Sequence, residues 1–457
     1  MGGIPFSKMR TRRVSGTTSV TANDPAAIKK VLPKEWAGCT YVDAILNGEG
    51  VYIEGGNIGT GRTGINCPSS AVVVDAGQAT YSRIVNLSTN VWVAVYNDVG
   101  DSNKGKATVI TKTGTTLSAG TPVVFNNAAT TDIDAKKITS TTFVISYIDD
   151  GGDDYLGAII GTVSGTTITF GDEKLLVSAA ITKTAGTGVA VASSTVIAAT
   201  YQLAGDTKHY IVAAPFAAAV IDDAGTPVEV VATASTGICM DAIASGRVVV
   251  GYQVVSTNYA TTAVCTVSDG AVCVAGTPEA HTSAAASSIF IRKASENRGI
   301  MSWIDTGDLH IFAFDIGTSG TTLNEGADAT VAGTVLTTCP ALFSDDSGVI
   351  AYEDDAHAGD YGTLKRFTIA WAAIGSGGVV TLASVDDIFA ELSIQTVRCD
   401  ANDTGELVVL YDNTASSNAT TAVCGQYRTD IVDIRSSGAS AKYYATLLPV
   451  WENVEVY

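Results

Sequence analysis

The chain has 457 residues, 46% of them hydrophobic and only 16% charged, with a formal net charge of −19. That composition excludes intrinsic disorder, which needs low hydrophobicity and high charge, and no apolar run approaches the ~18–20 residues that a membrane helix requires. The acidic balance also excludes nucleic acid or an anionic membrane as the main partner, because both select basic surfaces.

The charge is unevenly placed. Residues 1–65 carry eight basic and five acidic side chains, a net of +3, which leaves −22 on the rest. Met1-Gly2-Gly3-Ile4-Pro5-Phe6-Ser7 lacks the apolar core of a secretory leader. Phe6 also stands where N-myristoylation needs Ser or Thr, so no export or lipid signal is expected. Asp24 to Leu32 begins like a helix, with Asp24 as N-cap, Pro25 at the first helical position and Pro33 after the end. Residues 44–66 hold seven glycines with little apolar periodicity and read as an extended arm. The expected organisation is an N-terminal docking arm over 1–65, a repeat domain over 66–440 and a C-terminal extension over 441–457, which is aromatic and apolar (Tyr443, Tyr444, Leu447, Leu448, Trp451, Tyr457).

The repeat domain declares itself by a short apolar run ending in an aromatic residue. Tyr96, Tyr147, Tyr201, Tyr252, Trp303, Tyr352 and Tyr411 close seven such runs. Their near-constant separation is the mark of a repeat architecture. A glycine recurs at one fixed distance after the first four aromatics, at Gly120, Gly171, Gly225 and Gly276. Gly326 and Gly377 follow the fifth and sixth at almost the same distance. Ala-Gly-Thr-Pro recurs at Ala119–Pro122, Ala224–Pro227 and Ala275–Pro278, and Ala-Thr-Thr-Ala-Val-Cys at Ala260–Cys265 and Ala419–Cys424.

Within a repeat the pattern is strand, turn, strand, loop, strand, tight turn, strand. The second repeat shows it as Asp132–Ile138, Thr142–Asp149, Tyr155–Ser164 and Thr167–Val177. The second strand is apolar on both faces, as expected between two packed neighbours. The glycine inside the outer strand suggests a bulge or bend. Units of this size that bury themselves against copies of themselves form propellers. The expected fold is all-β: a seven-bladed β-propeller of four-stranded antiparallel blades with an irregular N-terminal arm. Ala71–Val74 precedes Tyr96 by the distance at which Pro122–Phe125 precedes Tyr147. It should therefore pair into the last blade and close the ring, in competition with Ile431–Ile434.

Chemistry-bearing residues concentrate in acidic loops after the second strands. Asp149, Asp150, Asp153 and Asp154 are the strongest candidate calcium ligands, since converging carboxylates bind calcium. Turn-favoured acids on a solvated rim explain the same residues, and no cofactor other than this candidate calcium is expected. His209, His281, His310 and His357 fall at different repeat offsets and read as structural. No H-E-x-x-H, G-x-S-x-G or C-x-x-C is present, and no carboxylate pair stands out for glycoside cleavage. No enzymatic activity is expected. Cys265 and Cys273 flank Ser268-Asp269-Gly270 symmetrically and would face each other across a hairpin, as a disulfide or as two reduced thiols. Cys239, Cys339 and Cys399 fall on inner strands, where small side chains fit.

The repeats Phe143–Asp149 and Gly157–Gly171 resemble β-propeller repeats of bacteriophage and other viral structural proteins, including tail-fibre-like and decoration proteins. The resemblance covers roughly residues 70–440. It implies a non-enzymatic virion component, held to other virion proteins through residues 1–65. It further implies a multimeric place in the particle and a surface for decoration or host attachment, with a host glycan or receptor as partner. Neither nucleic acid binding nor membrane insertion is expected from the charge and the apolar runs. No stalk is visible, which favours a compact appendage on a capsid or tail over a long fibre. A carbohydrate-binding, lectin-like propeller is the alternative, and a hydrolase using loop carboxylates a third.

Overall fold

A computed structural model describes residues 51–54, 57–60, 62–66, 71–435 (except 115, 153, 184, 319, 334, 356–360, 391–393 and 415–417) and 442–446. The chain divides into two compact units, Cys67–Gly425 and the pair of segments Met1–Asn66 and Gln426–Tyr457.

The larger unit is built from consecutive antiparallel sheets. In the second of them, the latter part of Val123–Lys137 pairs with Thr142–Asp149, which pairs with Tyr155–Ser164. Tyr155–Ser164 pairs in turn with an outer strand in two pieces, Thr167–Phe170 and Lys174–Val177. The same pattern recurs in successive units among the described residues. Their second strands are Val91–Asp98, Thr142–Asp149, Val196–Gln202, Arg247–Val254, Arg298–Asp305, Ser347–Asp354 and Glu406–Asn413. Each first strand touches the next, and the series returns on itself where Ile394–Ala401 lies against Val72–Ser88. The unit is a β-propeller with these first strands around its centre.

Packing explains the near-continuous apolar second strands. Phe143, Ile145 and Tyr147 bury against the preceding unit, while Val144 and Ile148 bury against the following one. Strand alternation sends successive side chains to opposite faces, so both sets must be apolar. The other clusters likewise span two neighbours: third and fourth, fourth and fifth, fifth and sixth, and seventh and first. All seven repeated aromatics are buried, none more than 5% exposed.

The glycines after the aromatics have a steric cause. A side chain at Gly171 would stand 2.1 Å from the Ala219 carbonyl oxygen of the next unit, and one at Gly225 would stand 2.3 Å from that of Ala271. Gly120 meets Thr166 in the same way. The glycine sits in the break of the outer strand, as at Gly171 between Phe170 and Lys174, and its N–H donates back to its own third strand. The bend expected there is therefore a place where a neighbouring backbone comes too close for a Cβ.

Val72–Ser88 belongs to two sheets. Val72, Val73, Asp75 and Gln78 pair with Ala422, Thr421, Thr420 and Ala419, and the remainder of the strand pairs with Val91–Asp98. The seam so formed is polar as well as laddered. Trp92 Nε1 donates to the Asp400 carbonyl at 3.2 Å, Asn402 Nδ2 donates to the Thr89 carbonyl at 2.8 Å, and Lys112 pairs with Glu406.

The smaller unit joins both ends of the chain. Val51–Glu54 forms a hairpin with Asn57–Thr60. Arg62–Asn66 runs antiparallel to Gln426–Ile431, and Ile431–Arg435 pairs with Lys442–Thr446. Ile431–Ile434, the competitor for ring closure, is thus engaged with Lys442–Thr446. The glycine-rich segment read as an extended arm contains three strands from residue 51 onward. The helix expected at 24–32 and the aromatic tail beyond 446 lie outside the described residues. Among the described residues no helix is long and apolar enough to cross a membrane.

The hairpin carrying Cys265 and Cys273 departs from the symmetric reading. Cys273 lies opposite Val267, and Cys265 lies opposite Ala275. The reason is a five-residue connection, Ser268–Val272, in which Ala271 adopts φ 57° and donates to the Ser268 carbonyl at 2.9 Å. The two thiols are diagonal neighbours, both buried and free.

Candidate functional site

The candidate site is the centre of the propeller, and it begins with a repeated backbone feature. At one fixed place ahead of six of the seven aromatics stands a residue of positive φ: Tyr81 (52°), Asp132 (48°), Gly186 (88°), Gly237 (60°), Ser288 (48°) and Thr396 (52°). At five of them the ladder slips register, because the first strand bulges there. A bulge turns the local backbone and re-aims the side chains that follow. Asp132, Gly186, Gly237, Ser288 and Thr396, with Thr337 at the matching place in the sixth unit, line a cavity of about 270 Å³. Only two of the positive-φ positions hold glycine, the residue that accepts that conformation without steric cost.

Beyond the bulges, two positions of the first strands carry the site's charge in the first, second, fourth, fifth and seventh units. Arg83, Asp134 and Arg398 share one place relative to their aromatics. Lys136, Asp241, Arg292 and Asp400 share the next-but-one place along the strand, on the same face. A wider cavity of about 920 Å³ adjoins the second set and is lined also by Lys137, Lys293 and Glu296. Lys136 and Arg292 line both cavities.

Three of the acids reach across to the next unit. Asp134 Oδ2 accepts the Val189 N–H at 2.9 Å, Asp241 Oδ2 accepts the Lys293 N–H at 3.0 Å, and Asp400 Oδ2 accepts the Asn86 N–H at 2.7 Å. These are charge-assisted bonds to backbone donors that the central strand edges leave unpaired. The carboxylates are therefore committed to holding neighbours together. Burial nonetheless pushes the Asp400 carboxyl above its ordinary range, opposed by Arg292 beside it.

The arginines are held differently. Arg83 Nε pairs with Asp134 Oδ1 at 3.2 Å, and its Nη1 donates to the Ser82 carbonyl at 2.9 Å. Arg398 Nε donates to that same Ser82 oxygen at 3.2 Å, and its guanidinium lies 5.4 Å from the centre of the Phe290 ring. Arg292 donates to the Pro340 carbonyl at 3.1 Å and to the Cys339 sulfur at 3.7 Å. Burial, helped by the charges of Arg83 and Arg292, lowers Arg398 to about 10. Asp132 is 8% exposed, one of its oxygens has no hydrogen-bond partner, and burial pushes its carboxyl up to about 7.

The acids singled out as calcium ligands lie elsewhere. Asp149 accepts the Gly151 N–H at 2.9 Å and the Tyr155 hydroxyl at 2.8 Å. Lys183 Nζ pairs with Asp150 and stands 2.9 Å from Asp154 Oδ1. Asp153 lies outside the described residues. Among the described residues no group of three or more His, Cys, Asp or Glu side chains is arranged to hold a metal ion. Asp98 and Asp101 of the first loop are likewise paired with Lys106, at 2.6 and 2.8 Å.

His209 is buried, bonded to Thr200 and edge-on to Tyr252 at 5.0 Å. His281 bonds Thr262 at 2.7 Å, and His310 stacks on Trp303 at 5.1 Å. His357 lies outside the described residues. The channel arginines escaped the sequence reading because each belongs to a different repeat. The signal available was a charge at either of two fixed places ahead of the aromatic.

No known protein family and no curated protein sequence matches the chain. Solved structures do. A prolyl endopeptidase structure is 14% identical with a TM-score of 0.42, covering 82% of this chain and 53% of that one. The chain thus spans about half the length of that neighbour. The Hadza microbial sialidase Hz136 is 11% identical with a TM-score of 0.41, covering 73% of this chain and 76% of that one. AofleA from Arthrobotrys oligospora is 10% identical with a TM-score of 0.40, covering 73% of this chain and 92% of that one. At identities this low nothing of those proteins' chemistry carries over to this chain.

Proposed function

We propose that the protein is a non-enzymatic component of a viral particle. The propeller is a compact appendage that presents a decoration or host-attachment surface, and the sheet built from both chain ends docks it on the capsid or tail. The observation that carries this reading is that sheet, in which Arg62–Asn66 pairs with Gln426–Ile431. It ties the segment before the repeat array to the segment after it.

Two further observations favour a structural role. The central carboxylates Asp134, Asp241 and Asp400 bond neighbouring units. The seven repeated aromatics are core residues and offer no platforms for stacking sugars.

The test is deletion of residues 1–66, followed by assay of co-purification with assembled particles from the native source. The truncated propeller is expected to stay folded and to be lost from particles. A full-length protein that never sediments with particles overturns the reading.

A further inference from the structure

We propose that the centre of the propeller binds a small oxyanion (phosphate, sulfate or a carboxylate) between Arg83, Arg292 and Arg398. The inference goes beyond docking and does not depend on it.

The three guanidinium groups come from the first, fifth and seventh units and line the same cavity of about 270 Å³. A water occupies roughly 30 Å³ of liquid, so a hydrated tetrahedral anion fits with room to spare. Arg83 and Arg398 donate to one shared oxygen, the Ser82 carbonyl, at 2.9 and 3.2 Å, which sets two planar cations side by side. Phe290 lies against Arg398 and fixes its plane.

The charge count points to an anion rather than to a cation. Of the four basic side chains in the cavity lining (Arg83, Lys136, Arg292, Arg398), Lys136 pairs with Asp241 at 3.6 Å and Arg83 with Asp134, and among the described residues Arg292 and Arg398 form no ion pair with a carboxylate. Asp134 is spent on Arg83 and on the Val189 N–H. Among the described residues, Arg292 and Arg398 donate to backbone carbonyls and one sulfur, and to no carboxylate. The repulsion falls on Arg398, which Arg83 and Arg292 both crowd, and an anion between them would relieve it. Guanidinium forks match an oxyanion's geometry with paired, charge-assisted bonds.

Asp132 contributes a donor. Its unpartnered oxygen belongs to the same cavity wall. A carboxyl held near neutrality by burial carries a proton part of the time and can give it to an anion oxygen as a hydrogen bond.

The experiment is isothermal titration calorimetry of the full-length protein with inorganic phosphate, sulfate and acetate at low ionic strength. Saturable binding at one anion per chain is expected. Arg292→Gln and Arg398→Gln should each weaken it at least ~10-fold, the loss of one charge-assisted contact. A folded wild type that gives no binding heat overturns the proposal, and so does unchanged affinity in folded variants. Should both variants fail to fold, a selenate soak of wild-type crystals decides through anomalous scattering. A peak within hydrogen-bond distance of Arg83, Arg292 and Arg398 supports the site, and its absence there overturns it.

Discussion

The Asp400 carboxylate accepts the backbone N–H of Asn86 at 2.7 Å, although the two residues lie at opposite ends of the repeat array. It is the seam's counterpart of the bonds made by Asp134 and Asp241, and it lies where no covalent connection joins the neighbours. Asp400→Ala leaves a donor without its acceptor at the closure. Its expected cost is about 1–3 kcal/mol, measured by urea unfolding. Asp400→Asn keeps an acceptor oxygen and should recover most of the loss.

The outer-strand glycines are set by a neighbour's carbonyl. Gly225→Ala places a methyl group 2.3 Å from the Ala271 oxygen and should destabilise by about 1–3 kcal/mol. Gly205→Ala, where nothing lies within 4 Å of the new methyl, should change stability by less than ~0.5 kcal/mol. Equal thermal shifts for the two would mean that inter-unit contact does not explain the repeated glycine.

Ser288 holds φ 48° in a bulge of the fifth unit's first strand. Relief of that strain by Ser288→Gly should stabilise the fold by about 1 kcal/mol. Ser288→Val, a β-branched residue in the same backbone, should destabilise it. Chemical denaturation of the two variants beside wild type gives the sign directly.

Two buried groups make stability depend on pH in opposite directions. Asp132 is raised from 3.8 to about 7 by burial, so the folded state holds its proton more tightly than the unfolded state does. Its contribution is complete below pH ~4 and is lost as pH rises through 7. Asp132→Asn should therefore raise the melting temperature at pH 8 and change little at pH 4. His209 is lowered from 6.5 to about 3 by burial, so its contribution is present above pH 6.5 and is lost as pH falls toward 3. His209→Gln should flatten the acid limb of the stability curve. A melting profile over pH 3–9 for each variant separates the two effects.

How much of this was legible in the sequence follows from what repeats. The buried aromatics recur because every unit must fill the same gap between neighbours, and the glycines recur because every neighbour brings the same carbonyl. Ala71–Val74 could be placed in the last unit because it precedes Tyr96 by the distance at which Pro122–Phe125 precedes Tyr147, and Val72 and Val73 do pair with Ala422 and Thr421. The bulges repeat just as faithfully, but in the backbone. The six positive-φ positions carry Tyr, Asp, Gly, Gly, Ser and Thr, so their residue types share no pattern. The central charges differ from unit to unit because they pair across units, as Arg83 does with Asp134, so the units need complementary rather than identical side chains. The pairing of Lys183 with Asp150 and Asp154 was equally hidden, since nothing local announces a lysine reaching back from the next unit to an acidic loop.

The sharing of Val72–Ser88 between the first and last sheets orders events during synthesis. Its leading half is among the first propeller segments to leave the ribosome, yet its partner is Ala419–Ala422. At about 5–20 residues per second the wait is roughly 20–70 s. Throughout that interval an apolar Val72-Val73-Val74 edge is exposed in a growing, open array. Chaperone occupancy of nascent chains should peak over this window and fall once Cys424 has cleared the exit tunnel.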